Sequence, residues 1–267
     1  MNNLTLSGHD AADYYVTNAG TLTGTGTINA RHITLNAQSD AKTYDGTTSS
    51  TQNVAIGGSG LVGSDSISGL AEQFNSKNAL GANGSTLSVK AGYAVNDGNG
   101  GNNYIVDALN TASGTINKAA LTLSAQKDVK TYDGTASSSG TVLLTGGGLV
   151  GGDSFATLSQ SFDSKNAGSR MLNVNYAIND GNGGNNYQVA TLAASGAIAQ
   201  KILTAPSLSI NNKVYDGTTS ASINASGGTL NGVLGGDSVN IDTSRGVASF
   251  STKNVGANLA VTIGSVG

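Results

Sequence analysis

Cysteine is absent from the 267 residues, which excludes disulfides and thiolate metal sites. Tryptophan is also absent, Pro206 is the single proline, and 11% of the residues are charged, against about 25% in ordinary globular proteins. The net charge of −3 favours neither nucleic acid nor an anionic membrane surface as a partner. No apolar run approaches the ~18 residues of a membrane span, and the first residues lack the pattern of a signal sequence. We therefore interpret the chain as a segment of a longer protein that is stabilised by packing alone.

Glycine is abundant, at 39 residues, and short motifs containing it recur along the chain in a fixed order. The first motif, Lys-x-Tyr-Asp-Gly-Thr, stands at 42–47, 130–135 and 213–218, with spacings of 88 and 83 residues. Four further motifs follow it. A Gly-Asp step, which is Gly-Ser-Asp in the first copy, ends at Asp65, Asp153 and Asp237, and Phe-x-x-Lys-Asn stands at 74–78, 162–166 and 250–254. Two motifs occur twice: Asn-Asp-Gly-Asn-Gly-Gly-Asn-Asn-Tyr at 96–104 and 179–187, and Ser-Gly-x-Ile at 113–116 and 195–198.

This spacing predicts three repeats, at 31–118, 119–201 and 202–267. The third is truncated before its Asn-Tyr motif, and residues 1–30 resemble the tail of a preceding repeat, so that residues 4–28 are expected to carry tail strands. A different phase, with units near 1–88, 89–171 and 172–267, remains open.

Alternation of apolar and small polar residues predicts β-strands throughout, for example at 33–35, 121–123 and 172–176. Clusters of Gly, Asn and Asp separate these runs, and no stretch has the apolar spacing of a helix. We predict an all-β protein of tandem, small β-sandwich-like domains, Ig-like or β-grasp-like. Because no flexible Gly/Ser linker separates the repeats, an elongated rod is expected.

The recurring motifs resemble the YDG/MBG-type repeat domains of large bacterial exoproteins. That group includes adhesins related to filamentous haemagglutinin, which are exported by two-partner secretion. The resemblance covers nearly the whole chain, although the Asn-Asp-Gly-Asn-Gly-Gly insertion is longer here than in simpler members. It implies stalk repeats at the bacterial cell surface or secreted, associated with the outer membrane, and it supplies no catalytic residues.

The Tyr-Asp-Gly motif is predicted to form a tight turn in which Asp bonds the backbone two residues on and Gly supplies a positive φ. Tyrosine packs on the edge of the core in this interpretation; the alternative is an aromatic platform for sugars. The residues concerned are Tyr44, Asp45, Gly46, Tyr132, Asp133, Gly134, Tyr215, Asp216 and Gly217.

Asp97 and Asp180 are weak calcium candidates, because oxygen-bearing residues surround them at alternating positions. Their loops lack the terminal acid of an EF-hand, and a hairpin loop explains the sequence better. Lys77 is expected to pair with Asp65, and the copies of this pair are Lys165 with Asp153 and Lys253 with Asp237. No acid, base or nucleophile arrangement emerges, so we expect neither an enzyme nor a cofactor.

The leading functional hypothesis is a structural stalk that projects an adhesive tip for attachment to cells, biofilm matrix or host. Two alternatives remain: the repeats bind exopolysaccharide or host glycan, or they mediate homotypic adhesion between stalks. Head-to-tail self-association is also expected, with residues 1–30 of one molecule completing the last repeat of the next by strand addition.

Overall fold

The computed structural model describes residues 5–17, 23–205, 207–224, 230–243 and 246–264. Within these ranges the regular structure is β, apart from the three-residue 3-10 helix η1 (Ala11–Asp13), which confirms the all-β prediction. No helix in the described ranges has the length and apolar character needed to cross a bilayer. The chain forms two compact units, one of residues 1–42 and 47–117, the other of residues 43–46 and 118–267.

The strands of the first unit follow the order of the sequence motifs. They are β1 (Arg31–Asn36), β2 (Ala41–Thr43), β3 (Ala55–Gly58), β4 (Ser66–Ser68), β5 (Glu72–Phe74), β6 (Gly81–Val89), β7 (Ala94–Asn96), β8 (Tyr104–Asn110) and β9 (Ala112–Asn117). They form sheets of order β3-β1-β8 and β2-β9-β6-β5, with β4 paired to β7. Strand β1 is antiparallel to β3 and parallel to β8.

The second unit repeats this plan. Its strands are β10 (Ala119–Ser124), β11 (Val129–Thr131), β12 (Leu143–Gly146), β13 (Ser154–Phe162), β14 (Gly168–Asn179), β15 (Tyr187–Leu192) and β16 (Ala194–Ala199). The sheets are β12-β10-β15 and β11-β16-β14-β13. Here β13 and β14 form one long hairpin, whereas the corresponding part of the first unit is divided between β4–β7.

The third set of motifs also lies in the second unit. Its strands are β17 (Ser209–Ile210), β18 (Ser220–Ala221), β19 (Ile223–Asn224), β20 (Ala248–Phe250) and β21 (Val261–Ile263). They form the sheets β17-β19 and β18-β20-β21. Phe250 lies opposite Val261, as Phe162 lies opposite Leu172 in the preceding set.

Alternating burial follows the alternating sequence pattern. In β10, Leu121 and Leu123 are buried and Thr122 between them is half-buried. The core of the second repeat contains Phe162 and Leu172 together with the buried residues Ala125 and Ile198.

The surroundings of Gly196 explain why the Ser-Gly-x-Ile motif contains glycine at this position. A Cβ at this position would lie 2.9 Å from both Phe162 Cε1 and Leu172 Cδ1. Such distances are far below normal van der Waals contact, so the aromatic ring and the leucine occupy the space that a side chain would need.

The tail strands expected near the N-terminus are not formed in the described residues 5–17 and 23–30, which contain only η1. Tyr14 and Tyr15, which resemble the Asn-Tyr motif, are 71% and 84% exposed. In the first repeat the tail strands β8 and β9 pair with β1 and β6. In a segment without strand partners, the backbone N–H and C=O groups form hydrogen bonds with water instead.

Candidate functional site

The Tyr-Asp-Gly motifs form the same turn in all three repeats. Gly46, Gly134 and Gly217 have φ of 78°, 80° and 79°, a conformation in which glycine avoids the strain of a Cβ. Asp133 Oδ1 accepts hydrogen bonds from the Thr135 backbone N–H and hydroxyl, both at 2.9 Å. The turn geometry expected from the sequence is therefore present.

The lysine two residues before the tyrosine binds this turn to the core, a role that the sequence analysis missed. Lys130 Nζ donates to Asp133 Oδ1 at 2.8 Å and to the Thr135 carbonyl at 2.8 Å. It also lies 5.5 Å from the centre of the Phe162 ring, within range of a cation–π interaction. The other copies place Lys42 over Phe74 and Lys213 over Phe250, at 5.3 and 5.8 Å. The sequence carried one signal for this role of the lysine, because lysine recurs two residues before the tyrosine in all three motifs.

The lysine also stabilises the ionised form of the aspartate in the turn. The hydrogen bond from Lys130 and those from Thr135 lower the pKa of Asp133 to about 2. Lys213 and Thr218 lower the pKa of Asp216 to about 2 in the same way. Both carboxylates therefore stay ionised to a lower pH than a free aspartate, so the hydrogen bonds that close the turn resist acid.

Tyr44, in the turn of the first motif, contacts residues of the second motif set. Residues 43–46 belong to the second compact unit. Tyr44 Oη donates to Asp153 Oδ2 at 2.9 Å, and Tyr187 Oη donates to the same oxygen at 2.7 Å. The two rings meet edge to face, with centroids 5.5 Å apart and planes at 80°. Tyr44 and Tyr187 are 2% and 3% exposed and Asp153 is half-buried, so the two rings of this Tyr-Asp-Tyr cluster are buried.

Two glycines allow the backbones to approach closely at this cluster. A Cβ on Gly46 would lie 2.5 Å from the Gly151 Cα, and a Cβ on Gly151 would lie 2.7 Å from the Gly46 Cα. The glycine of the turn is thus required both by its φ and by the backbone packed against it.

The second turn makes the corresponding contact with the third motif set. Tyr132 Oη donates to the carboxyl group of Asp237, at 2.9 Å from Oδ2 and 3.1 Å from Oδ1. A Cβ on Gly134 would lie 3.4 Å from Leu234 Cδ1, a looser approach than at Gly46. Successive motif sets are therefore joined by the same tyrosine-to-aspartate hydrogen bond.

The aspartates for which the sequence predicted lysine partners accept hydrogen bonds from tyrosines, which the sequence did not predict. Asp153 accepts from two tyrosines, Asp237 accepts from Tyr132, and Asp65 accepts from Tyr104 at 2.6 Å. The hydroxyl groups come from motifs distant in sequence, so spacing alone could not identify them.

The calcium candidates bind backbone amides. Asp180 Oδ1 accepts from the N–H groups of Asn182 and Gly184 at 2.7 and 2.8 Å, and Oδ2 accepts from that of Asn186 at 3.0 Å. Burial acts to raise the pKa of Asp180, but the three amide bonds outweigh it and the pKa is lowered. Asp97 makes the same three bonds at 2.8 to 2.9 Å. The carboxylates thus organise their own loops.

No group of three or more His, Asp or Glu side chains within the described ranges could hold a metal ion. His32 Nδ1 lies 2.7 Å from Asp107 Oδ1 at an exposed site. His9 Nε2 lies 4.0 Å from Asp10 Oδ1, and both side chains are exposed.

We expect Tyr44 and Tyr187 to ionise only near pH 12 in the folded protein. Burial, then the hydrogen bond to Asp153, raises the pKa of Tyr44 to about 12, and burial is the main cause of the same pKa for Tyr187. An unfolded tyrosine ionises near pH ~10. Because the folded pKa is raised, the stabilisation is fully present below pH ~10 and is lost as the pH rises toward 12.

Ultraviolet absorbance against pH measures this ionisation, with the urea-unfolded chain as the reference for all nine tyrosines. An Asp153→Asn variant should bring the late-ionising tyrosines to lower pH. Complete ionisation of the folded protein near pH ~10 would contradict the buried cluster.

The three turn glycines allow a matched series of Gly→Ala variants. Gly217→Ala should cost only the ~1 kcal/mol of a positive φ, because its Cβ would meet nothing within 4 Å. Gly134→Ala should cost slightly more, and Gly46→Ala roughly 2–3 kcal/mol, since it also displaces the backbone of Gly151. Urea unfolding followed by circular dichroism gives the three values. Equal losses would show that φ alone requires glycine here.

Comparison with known proteins gives one result. A family model described as the YDG domain matches residues 29–113, 117–194 and 199–267. No curated protein and no solved structure matches the chain. The turns, the lysines that hold them and the tyrosine-to-aspartate contacts lie within the matched segments, and the chain belongs to the YDG domain family, of which it carries three copies.

Proposed function

We propose that the chain is a non-enzymatic spacer in a bacterial adhesin, at the cell surface or secreted, where it projects an adhesive part for attachment to cells, matrix or host. The observation that carries this proposal is the repeated contact from Tyr44 to Asp153 and from Tyr132 to Asp237. A series of repeats joined by the same contact can transmit force along a chain without binding any ligand.

The repeated polar residues form hydrogen bonds within the protein itself, which supports a structural role. Tyr44 is buried in the Tyr-Asp-Tyr cluster, and Asp97 and Asp180 each accept three backbone amides. Engaging such groups with a glycan or a cation would require these internal bonds to break. The resemblance to stalk repeats of exported adhesins agrees with this interpretation.

Stretching single molecules of the chain between two attachment points tests the spacer proposal. We expect discrete unfolding events, each releasing about 80 residues or ~27 nm of extended chain. A Tyr132→Phe variant should lower the force or the cooperativity of an event, because it removes the hydrogen bond to Asp237. Extension without discrete events would contradict the proposal.

A glycan array on the same chain separates the spacer from the carbohydrate-binding alternative. We expect no retention of host glycans or bacterial exopolysaccharide. Binding that a Tyr215→Ala variant abolishes would favour a lectin-like role for the turn, because Tyr215 is the most exposed of the three turn tyrosines.

A further inference from the structure

The hairpin of β13 and β14 carries the sheet of the second repeat to an edge without a partner strand. Strand β13 is the last strand in the order β11-β16-β14-β13, so among the described residues no strand of this sheet lies on its outer side. The edge belongs to the middle repeat, and the chain continues into a further YDG domain on both sides of it. It is therefore a feature of a repeat that has both of its neighbours in the chain.

The backbone groups of Leu158 point away from β14. The Phe162 N–H donates to the Ala136 carbonyl at 2.8 Å, on the side of β13 that faces away from β14. Because backbone groups alternate between the two sides of a strand, the N–H and C=O of Leu158 point to this outer side as well. Ala136 and Ser137 cover the Phe162 end of the edge, whereas residues 156–159 are all exposed.

Strand β13 lacks charge and proline, two features that commonly prevent an edge strand from pairing with another chain. Its nine residues are Ser-Phe-Ala-Thr-Leu-Ser-Gln-Ser-Phe. A register shift between Phe155 and Thr157 leaves residues 157–162 regularly paired with β14. At the position of Thr157 the first repeat has Gly69, whose φ of 67° interrupts the edge between β4 and β5. The middle repeat thus presents a longer pairing edge than the first.

An exposed apolar pair lies beside this edge. Leu158 is opposite Tyr176 of β14, and the two side chains are 36% and 41% exposed. Residues directly opposite each other on neighbouring strands lie on the same face of a sheet. A further strand with an apolar residue opposite Leu158 would therefore extend this pair into a row, and β13 itself has such a residue at the same position.

We propose that two copies of this chain associate through β13, which pairs antiparallel with β13 of the second copy about a two-fold axis at Leu158. The Leu158 N–H of each copy donates to the Leu158 carbonyl of the other, and Thr157 faces Ser159 of the second copy. Two leucines and two tyrosines then form one apolar row across the joined sheet. The contact is isologous, so residues near the axis meet their own copies, and an uncharged strand brings no like charges together.

This inference goes beyond the proposed spacer, because it assigns a strand to the homotypic adhesion considered from the sequence. It uses an internal strand, unlike strand addition through residues 1–30. Few residues take part in the contact, so we expect weak association that appears at high protein concentration or where many copies are held side by side.

Sedimentation of the whole chain over a wide concentration range tests the proposal. The average mass of the wild type should rise toward that of a dimer. Leu158→Lys and Leu158→Glu each place like charges at the axis and should each weaken association by ~10-fold or more. An equimolar mixture of these two variants should associate again, because lysine then meets glutamate. Met171→Lys is the matched control and should associate like the wild type, since Met171 is 46% exposed on β14, away from the edge.

The absence of cysteine from the chain permits a direct test of the register. Leu158→Cys should form a disulfide-linked dimer under mild oxidation, because opposite residues of a hydrogen-bonded antiparallel pair have Cα atoms about 5.5 Å apart, within the range of a disulfide. Met171→Cys should stay monomeric under the same conditions.

A wild type that stays monomeric at every concentration would overturn the proposal. So would a mixture of Leu158→Lys and Leu158→Glu that does not regain association, or equal cross-linking of the two cysteine variants. None of these results would alter the unfolding events expected in the stretching experiment, which depend on contacts inside one molecule.

Discussion

Replacing Phe162 by alanine should lower the free energy of unfolding of the second repeat by about 3–5 kcal/mol. Phe162 is 3% exposed and packs with Leu172 and Ile198, which are 0% and 2% exposed. Gly196 opposite the ring has no side chain that could fill the space left behind. The variant also removes the ring beneath the Lys130 ammonium group and so loosens the Tyr-Asp-Gly turn.

Leu158→Ala is the matched control, because Leu158 lies on the same strand, β13, and is 36% exposed. It should cost clearly less than Phe162→Ala. Urea unfolding followed by circular dichroism gives the loss, and hydrogen exchange should localise it to β13–β16. Similar losses in the two variants would show that the Phe162 cluster is not the core of this repeat.

Replacing Asp153 by alanine should destabilise the second unit by about 3–5 kcal/mol, because two buried tyrosine hydroxyls lose their common acceptor. Exchange of the backbone amides at 43–46 should become faster, since the turn that carries Tyr44 is held there by this bond. A double-mutant cycle of Tyr44→Phe with Asp153→Asn measures the coupling directly, with an expected value of about 1–2 kcal/mol.

Asp65→Ala serves as the comparison for Asp153→Ala. Asp65 accepts a hydrogen bond from one tyrosine, Tyr104, whereas Asp153 accepts from two, so the loss of Asp65 should cost about half as much. Additive effects of Tyr44→Phe and Asp153→Asn would show that the hydrogen bond between these residues does not stabilise the fold.

Local features of this fold could be predicted from the sequence, because they depend on neighbouring residues. The alternation of Leu121, Thr122 and Leu123 predicted a strand with one buried face, and β10 has that face. The Tyr-Asp-Gly motif predicted a turn with a positive φ at glycine, and the three glycines adopt it. The likeness to YDG-type repeats was confirmed over 29–267, apart from short gaps between the matches.

Strand pairing could not be predicted in the same way. Strand β10 is parallel to β15, which begins more than 60 residues later in the chain, and antiparallel to β12. An alternating pattern specifies which face of a strand is buried but not which strand lies beside it. For the same reason, the Asn-Tyr likeness of Tyr14 and Tyr15 predicted a strand that needs a partner to form.

The sequence by itself determined the repeat, the strands, the turns and the residues that recur. Only the tertiary structure decided what the recurring residues contact. The partner of Tyr44 is Asp153, which lies 109 residues further on and also accepts a hydrogen bond from Tyr187. The periodicity of a sequence reflects the local conformation of its backbone. A hydrogen bond between distant residues depends instead on how the packed sheets bring their loops together.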